Sequence, residues 1–183
     1  MSDVLTAANQ LTLLRMALIP VFAILLVYGH LGAALGVFAF AGLTDMFDGF
    51  IARRSGQKTT LGAWLDPAAD KLLLLTTFVT LTLPLDHLTH RLPLWLTVLV
   101  ISRDVGIVVT VAVVNLAVGR RTFHPSWLGK LATATFIATG VVALFYNVLA
   151  VPSIVPTVFI YASLVITLLS AADYLRRMLQ PPQ

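Results

Sequence analysis

Six apolar stretches take up nearly the whole chain, at residues 11–29, 32–53, 61–84, 93–118, 128–149 and 153–175, with only short polar breaks between them. A helix needs about 20 residues to cross the hydrocarbon core of a bilayer, and each stretch is of that order. In hydrocarbon the backbone donors and acceptors must be satisfied within the structure itself, so uninterrupted apolar runs of this length read as helices. Composition agrees, since 58% of the 183 residues are hydrophobic and 11% are charged, against about 25% charged in a typical soluble chain. That is too little charge to cover a water-facing surface. The expected fold is all-α: a polytopic membrane protein, a six-transmembrane-helix bundle forming a single domain over residues 1–183.

The basic residues set the expected orientation. Arg53, Arg54 and Lys58 fall between spans two and three, Arg120, Arg121 and Lys130 between four and five, and Arg176 and Arg177 after six, while the opposite loops offer only Arg91. The positive-inside rule then places both termini on the cytoplasmic side, in a bacterial inner membrane. Short basic clusters beside apolar runs are loop charges of a membrane protein, so the net charge of +4 does not imply a nucleic-acid partner. Cysteine is absent, which excludes disulfides and thiolate metal sites. The N-terminus has no basic n-region with a cleavage site nearby, so no cleaved signal peptide is expected. Gly32 and Gly36 form a GxxxG that reads as close helix packing, and Pro20 is expected to kink span one. His30, His87 and His90 read as solvated turn residues, while Tyr28, Trp95, Trp127 and Tyr174 suit membrane interfaces.

The carboxylates are harder to accommodate. All eight acidic residues are Asp, and Asp45, Asp48, Asp66 and Asp70 sit near the facing ends of spans two and three. An ionised carboxylate at the bilayer centre costs about 2.5–3.5 kcal/mol on insertion scales, so four buried and unpaired ones would not be tolerated. Asp45 and Asp48 are i and i+3, and Asp66 and Asp70 are i and i+4. Each pair therefore shares one helix face, with Cβ atoms about 5–6 Å apart. The basic loop between the spans turns the chain back, which brings the two faces together at a cytoplasmic cavity. Convergent carboxylates suit hard divalent cations such as Mg²⁺ or Mn²⁺, and two such ions clamp a phosphoryl group during transfer. Small residues around the acids, including Gly42, Ala63, Ala68 and Ala69, read as helix packing, whereas Gly49 and Gly62 leave room for a nucleotide to approach the backbone.

The stretch Asp45-Met-Phe-Asp48-Gly49-Phe-Ile-Ala52-Arg53, eight residues, then Gly62-Ala-Trp-Leu-Asp66-Pro-Ala-Ala-Asp70 resembles the CDP-alcohol phosphotransferase signature, DxxDGxxAR followed after eight residues by GxxxDxxxD. The six-span layout extends the resemblance over nearly the whole chain. The resemblance implies transfer of a phosphatidyl group from CDP-diacylglycerol to an alcohol, with release of CMP, by a homodimer. It also implies that Asp45, Asp48, Asp66 and Asp70 hold two metal ions, that Asp66 and Asp70 are catalytic, and that Asp70 is the general base for the acceptor hydroxyl. Gly49, Ala52, Arg53, Thr59 and Gly62 would contact the nucleotide, and Asn9 and Thr12 resemble the family's N-terminal nucleotide contacts. Arg53 at a helix end also reads as a topology anchor, but within this motif phosphate binding is the expected role.

Arg103 and Asp104 lie inside span four, where ionisable residues are functional candidates unless they neutralise one another. With Arg120, Arg121 and Lys130, and His124 nearby, Arg103 is expected to form a cationic acceptor pocket. Ile101-Ser-Arg103-Asp104-Val resembles cardiolipin synthases, whose acceptor is phosphatidylglycerol. The motif region and Gly129-Lys130 also resemble phosphatidylglycerophosphate synthases, whose acceptor is glycerol 3-phosphate. The latter usually carry Arg-Glu at 103–104 and often a Lys in place of Ala132, so the expected acceptor is phosphatidylglycerol. A divalent-cation transporter is the alternative of another class. Against it, the acids lie beside basic loops and no inverted repeat is present.

Overall fold

The structure, a computed structural model, describes residues 7–55, 60–118 and 127–179; side chains are described within these except at 7–9, 45–55, 60–67, 111, 112, 114, 115, 117, 118, 175 and 177–179. Among the described residues six helices follow in order: α1 (Ala7–Val27), α2 (Leu31–Ser55), α3 (Thr60–Thr82), α4 (Leu94–Val118), α5 (Trp127–Leu149) and α6 (Val155–Leu179). The described residues contain no strand. Among the described residues three helical segments are long and apolar enough to cross a membrane by length and composition: Gln10–Val27, Trp127–Leu149 and Val155–Tyr174. Leu31–Thr44 is a shorter apolar segment of α2. The sequence boundaries agree with the helices to within a few residues, and α1 runs through Pro20 as one helix.

Turn chemistry explains the hairpins. Gly29 has φ +80°, and its N–H donates to the Leu26 carbonyl at 3.1 Å while His30 N–H donates to Leu25 at 2.8 Å. This is a Schellman termination, which needs a left-handed residue after the helix and so favours glycine. The His30 carbonyl then accepts from Ala34 N–H at 2.9 Å to open α2. Between α5 and α6 the left-handed position is filled by Ala150, φ 51°.

α1 packs against both α2 and α3, α5 packs against α6 and also meets α2 and α3, and α4 touches α3 and α6. Phe22, Leu26, Phe38, Phe78, Leu81, Leu96, Phe136 and Leu144 form the centre, with Phe22 against Phe38 at 5.7 Å and Phe78 edge-on to Phe136 at 6.0 Å between ring centroids. The interior also holds hydroxyls: Thr77, Thr97, Thr139, Ser163 and Thr167 are buried, whereas Val105, Val108, Val109 and Val113 of α4 face outward. Water would favour the reverse, while lipid favours this arrangement, because polar groups bond across helices and apolar ones meet acyl chains. Thr139 Oγ1 and Ser163 Oγ lie 2.7 Å apart between α5 and α6.

Close packing falls elsewhere than the GxxxG of α2 implies. A Cβ added at Gly32 or Gly36 would meet nothing within 4 Å among the described residues, so neither glycine is at a close contact there. The tight approach is at Gly140 of α5, where a Cβ would lie 3.1 Å from Thr77 Cγ2 of α3. The turn histidines also do more than face solvent. His87 Nε2 donates to the Leu26 carbonyl at 2.8 Å. His90 N–H donates to Asn147 Oδ1, and Asn147 Nδ2 donates back to the His90 carbonyl, both at 2.8 Å. Asn147 is 2% exposed, so the α3–α4 connection is pinned to α5 by a buried amide. Replacing Asn147 with Ala is expected to lower stability by about 1–3 kcal/mol, because buried backbone groups lose their partner; equilibrium unfolding in mixed micelles measures this.

Candidate active site

Antiparallel pairing sends the start of α1, the end of α2, the start of α3, the end of α4 and the start of α5 toward one end of the bundle, and Asp70 of α3 and Arg103 and Asp104 of α4 stand near the middle of their helices. The backbone of α2 carries Asp45, Asp48, Gly49, Ala52 and Arg53, and that of α3 carries Gly62, Asp66 and Asp70. Both halves of the acidic motif are therefore helical, as their spacing predicts. The side chains of Asp45, Asp48, Ala52, Arg53 and Asp66, and that of Asn9, lie outside the described residues, as does the surroundings of Gly49 and Gly62. Thr59, Arg120 and Arg121 lie outside the described residues altogether. Among the described residues no three carboxylates or imidazoles come together, a set that contains only Asp70 of the motif's four aspartates.

Asp70 is held by a residue that the sequence reading passed over. Arg15 Nη1 of α1 donates to Asp70 Oδ1 at 2.6 Å across 55 positions of sequence. The Arg15 side chain is 0% exposed and that of Asp70 50%. Arg15 follows Thr12 by three positions on α1, and Thr12 is itself fully buried. The signal was present: an ionisable residue inside an apolar span is a functional candidate by default, a rule applied to Arg103 and equally applicable to Arg15.

The neighbouring position points the other way. Lys71 Nζ lies 3.5 Å from Asp104 Oδ2 of α4, so Asp70 and Lys71 tie α3 to α1 and α4 respectively. Arg103 Nη1 donates to Asp104 Oδ1 at 3.3 Å and approaches Thr133 Oγ1 at 3.4 Å, and its Nη2 donates to the Gly129 carbonyl at 2.8 Å. The guanidinium also lies over the Phe136 ring, 5.4 Å from its centroid. Arg103 and Asp104 thus pair, as their adjacency in span four allowed, and they brace α4 against the start of α5. Lys130, one position past Gly129, is exposed. The buried Ala132 sits one position before Thr133 on the same helix.

These contacts use the fork of Arg103, which presents several donors in fixed directions where an ammonium is a point charge. Arg103→Lys is expected to lower stability by about 1–2 kcal/mol, since the bond to Gly129 or that to Asp104 must be given up. Unfolding in mixed micelles reads this directly, and unchanged stability would show that the fork holds nothing.

With this geometry in view, comparison with known proteins is specific. Residues 5–169 match the family model for CDP-alcohol phosphatidyltransferases. A probable phosphatidylglycerophosphate synthase of Mycobacterium tuberculosis (strain H37Rv) is 40% identical over 181 residues, covering 94% of this chain and 81% of the relative. A cardiolipin synthase (CMP-forming) of Homo sapiens is 38% identical over 164 residues, 86% of this chain and 52% of the relative. Another of Streptomyces coelicolor is 39% identical over 139 residues, 71% of this chain and 60% of the relative. A family match over most of the chain, carried on helices apolar enough for lipid and on the helical acidic motif, makes this protein a member of the CDP-alcohol phosphatidyltransferase family, an integral membrane transferase of phospholipid biosynthesis.

Proposed function

We propose that the protein transfers the phosphatidyl group of CDP-diacylglycerol to the free hydroxyl of phosphatidylglycerol, releasing CMP and forming cardiolipin. The observation that carries the catalytic part is Asp70: a half-exposed carboxylate, the last of the motif, fixed by a buried guanidinium. All-oxygen donor sets suit hard divalent cations, and a carboxylate open to solvent on one side fits that use. Asp45, Asp48, Asp66 and Asp70 would hold two such ions, Mg²⁺ or Mn²⁺, which when bound neutralise the pyrophosphate and the departing CMP. Asp70, with Asp66 beside it one helical turn earlier, takes the proton of the acceptor hydroxyl. The freed oxygen attacks the phosphatidyl phosphorus in line, and the bond from phosphorus to the CMP oxygen breaks. Gly49, Ala52, Arg53, Thr59 and Gly62 hold the nucleotide, with Asn9 beside them at the start of α1; Thr12, expected from the sequence to contact it, is fully buried and backs the site instead. The whole chain, 1–183, acts as one domain with six spans, as a homodimer with both termini on the cytoplasmic side.

The acceptor side comprises Arg103, Arg120, Arg121 and Lys130. Arg103 already donates to Gly129 and Asp104, so its charge contributes there while its donors brace the helices. That leaves less cationic capacity for a small dianion than for a lipid phosphodiester, which favours phosphatidylglycerol. Glycerol 3-phosphate is the second reading, favoured by the mycobacterial relative named a phosphatidylglycerophosphate synthase, which aligns over 94% of this chain.

Purified protein given labelled CDP-diacylglycerol is expected to release CMP and make cardiolipin with phosphatidylglycerol, and only in the presence of Mg²⁺ or Mn²⁺. Glycerol 3-phosphate as sole acceptor would overturn the choice of acceptor, and turnover without a divalent cation would overturn the metal assignment. Asp66→Asn and Asp70→Asn are each expected to reduce CMP release by about 10²–10⁴-fold, with the monodisperse elution of the parent protein retained. Full turnover in either variant would count against the assigned roles.

A further inference from the structure

We infer that Arg15 is a positioning residue for the reaction, acting through Asp70, an inference that rests on the role proposed for that aspartate. A fully buried arginine in a membrane helix requires a counter-charge, and Asp70 Oδ1 provides one at 2.6 Å. The pair is lopsided, with Arg15 closed to solvent and Asp70 half open. No nucleotide phosphate or acceptor anion reaches a side chain with 0% exposure, so Arg15 is not a substrate contact. Its described link to the solvent-facing site is the carboxylate that it holds. A charge-assisted bond from a rigid guanidinium to one oxygen fixes the rotamer of the carboxylate and the direction in which its accessible part faces. Outer residues that orient a reacting or metal-holding group in this way commonly change its effectiveness by about 10–100-fold.

The bond also ties α1 to α3, and a purely structural tie makes different predictions. The test uses the full chain in detergent with Arg15→Gln, which keeps a donor without charge, Arg15→Lys, which keeps the charge without the fork, and Asp70→Asn as reference. Three quantities are read: kcat for CMP release, KM for CDP-diacylglycerol, and Mn²⁺ binding by electron paramagnetic resonance in the absence of substrate. Expected for Arg15→Gln are a fall in kcat of about 10–100-fold, little change in KM, and Mn²⁺ binding that persists but is weaker than in the parent, because a carboxylate that would hold the ion has lost its fixed direction. Arg15→Lys should recover part of kcat. Unchanged kcat in Arg15→Gln, with Asp70→Asn inactive, would overturn this inference and leave the role of Asp70 standing. Loss of Mn²⁺ binding together with turnover, or loss of monodispersity in both Arg15 variants, would mark the pair as structural and overturn it equally. Full activity in Asp70→Asn would remove the underlying reading and this inference with it.

Discussion

A charge placed among lipid-solvated helices must find an opposite charge or leave, and this constraint arranges one end of the molecule. Arg15, fully closed off within α1, stays there with Asp70 at 2.6 Å. Asp104 in turn lies between Arg103 on its own helix and Lys71 of α3. Pairing in a low-dielectric setting is expensive to break on one side only, because the remaining partner keeps its desolvation cost. The two adjacent residues Asp70 and Lys71 consequently fix α3 from two sides, towards α1 and towards α4.

The opposite end is organised mainly by backbone groups and neutral side chains. His87 reaches the carbonyl at the end of α1, and Asn147 takes both backbone groups of His90. Leu92 N–H donates to the Leu81 carbonyl at 3.0 Å, closing the α3–α4 connection on itself. Such bonds satisfy backbone groups that lipid would leave exposed. Between the two ends the interior is apolar rings and threonines whose hydroxyls return to their own helix, as Thr77 does to Leu73 and Thr167 to Ser163. Stability at this opposite end therefore comes from packing and short-range hydrogen bonds, with the exposed Arg91 also donating to the Leu85 carbonyl at 2.8 Å beside Asp86.

Much of this was legible from residue order alone. Helix count and approximate limits followed from apolar run length, because hydrocarbon permits few alternatives. The acidic motif was legible because its spacing is fixed, and its helical setting agrees. Partnerships across the bundle were not legible, since no local pattern tells α1 which face of α3 it will meet. Arg15 was passed over because basic residues were weighed as loop charges, although it stands inside span one. The GxxxG of α2 misled for a related reason. Small residues permit close approach without requiring it, and the approach occurs at Gly140 against Thr77. Nothing in the sequence distinguished Asn147 from an ordinary polar residue near a helix end; its importance arises from where the α3–α4 turn lands.

The distribution of charge also separates a one-sided catalyst from a conduit. A cation pathway needs polar or ionisable groups continuing through the midplane to the far side. Here the charged residues described within the helices, Arg15, Asp70, Lys71, Arg103, Asp104, Lys130, Asp173 and Arg176, lie between the motif end and the middle of their helices. Beyond them the interior is filled by Phe22, Phe78, Phe136, Leu26, Leu81 and Leu144, each almost wholly buried. Among the described residues no charged side chain continues this set into the apolar half of the helices, so the charge sits in a cul-de-sac. Such a cul-de-sac suits a reaction whose nucleotide enters from water and whose lipid tails stay in the bilayer, as transfer from a CDP-linked lipid requires.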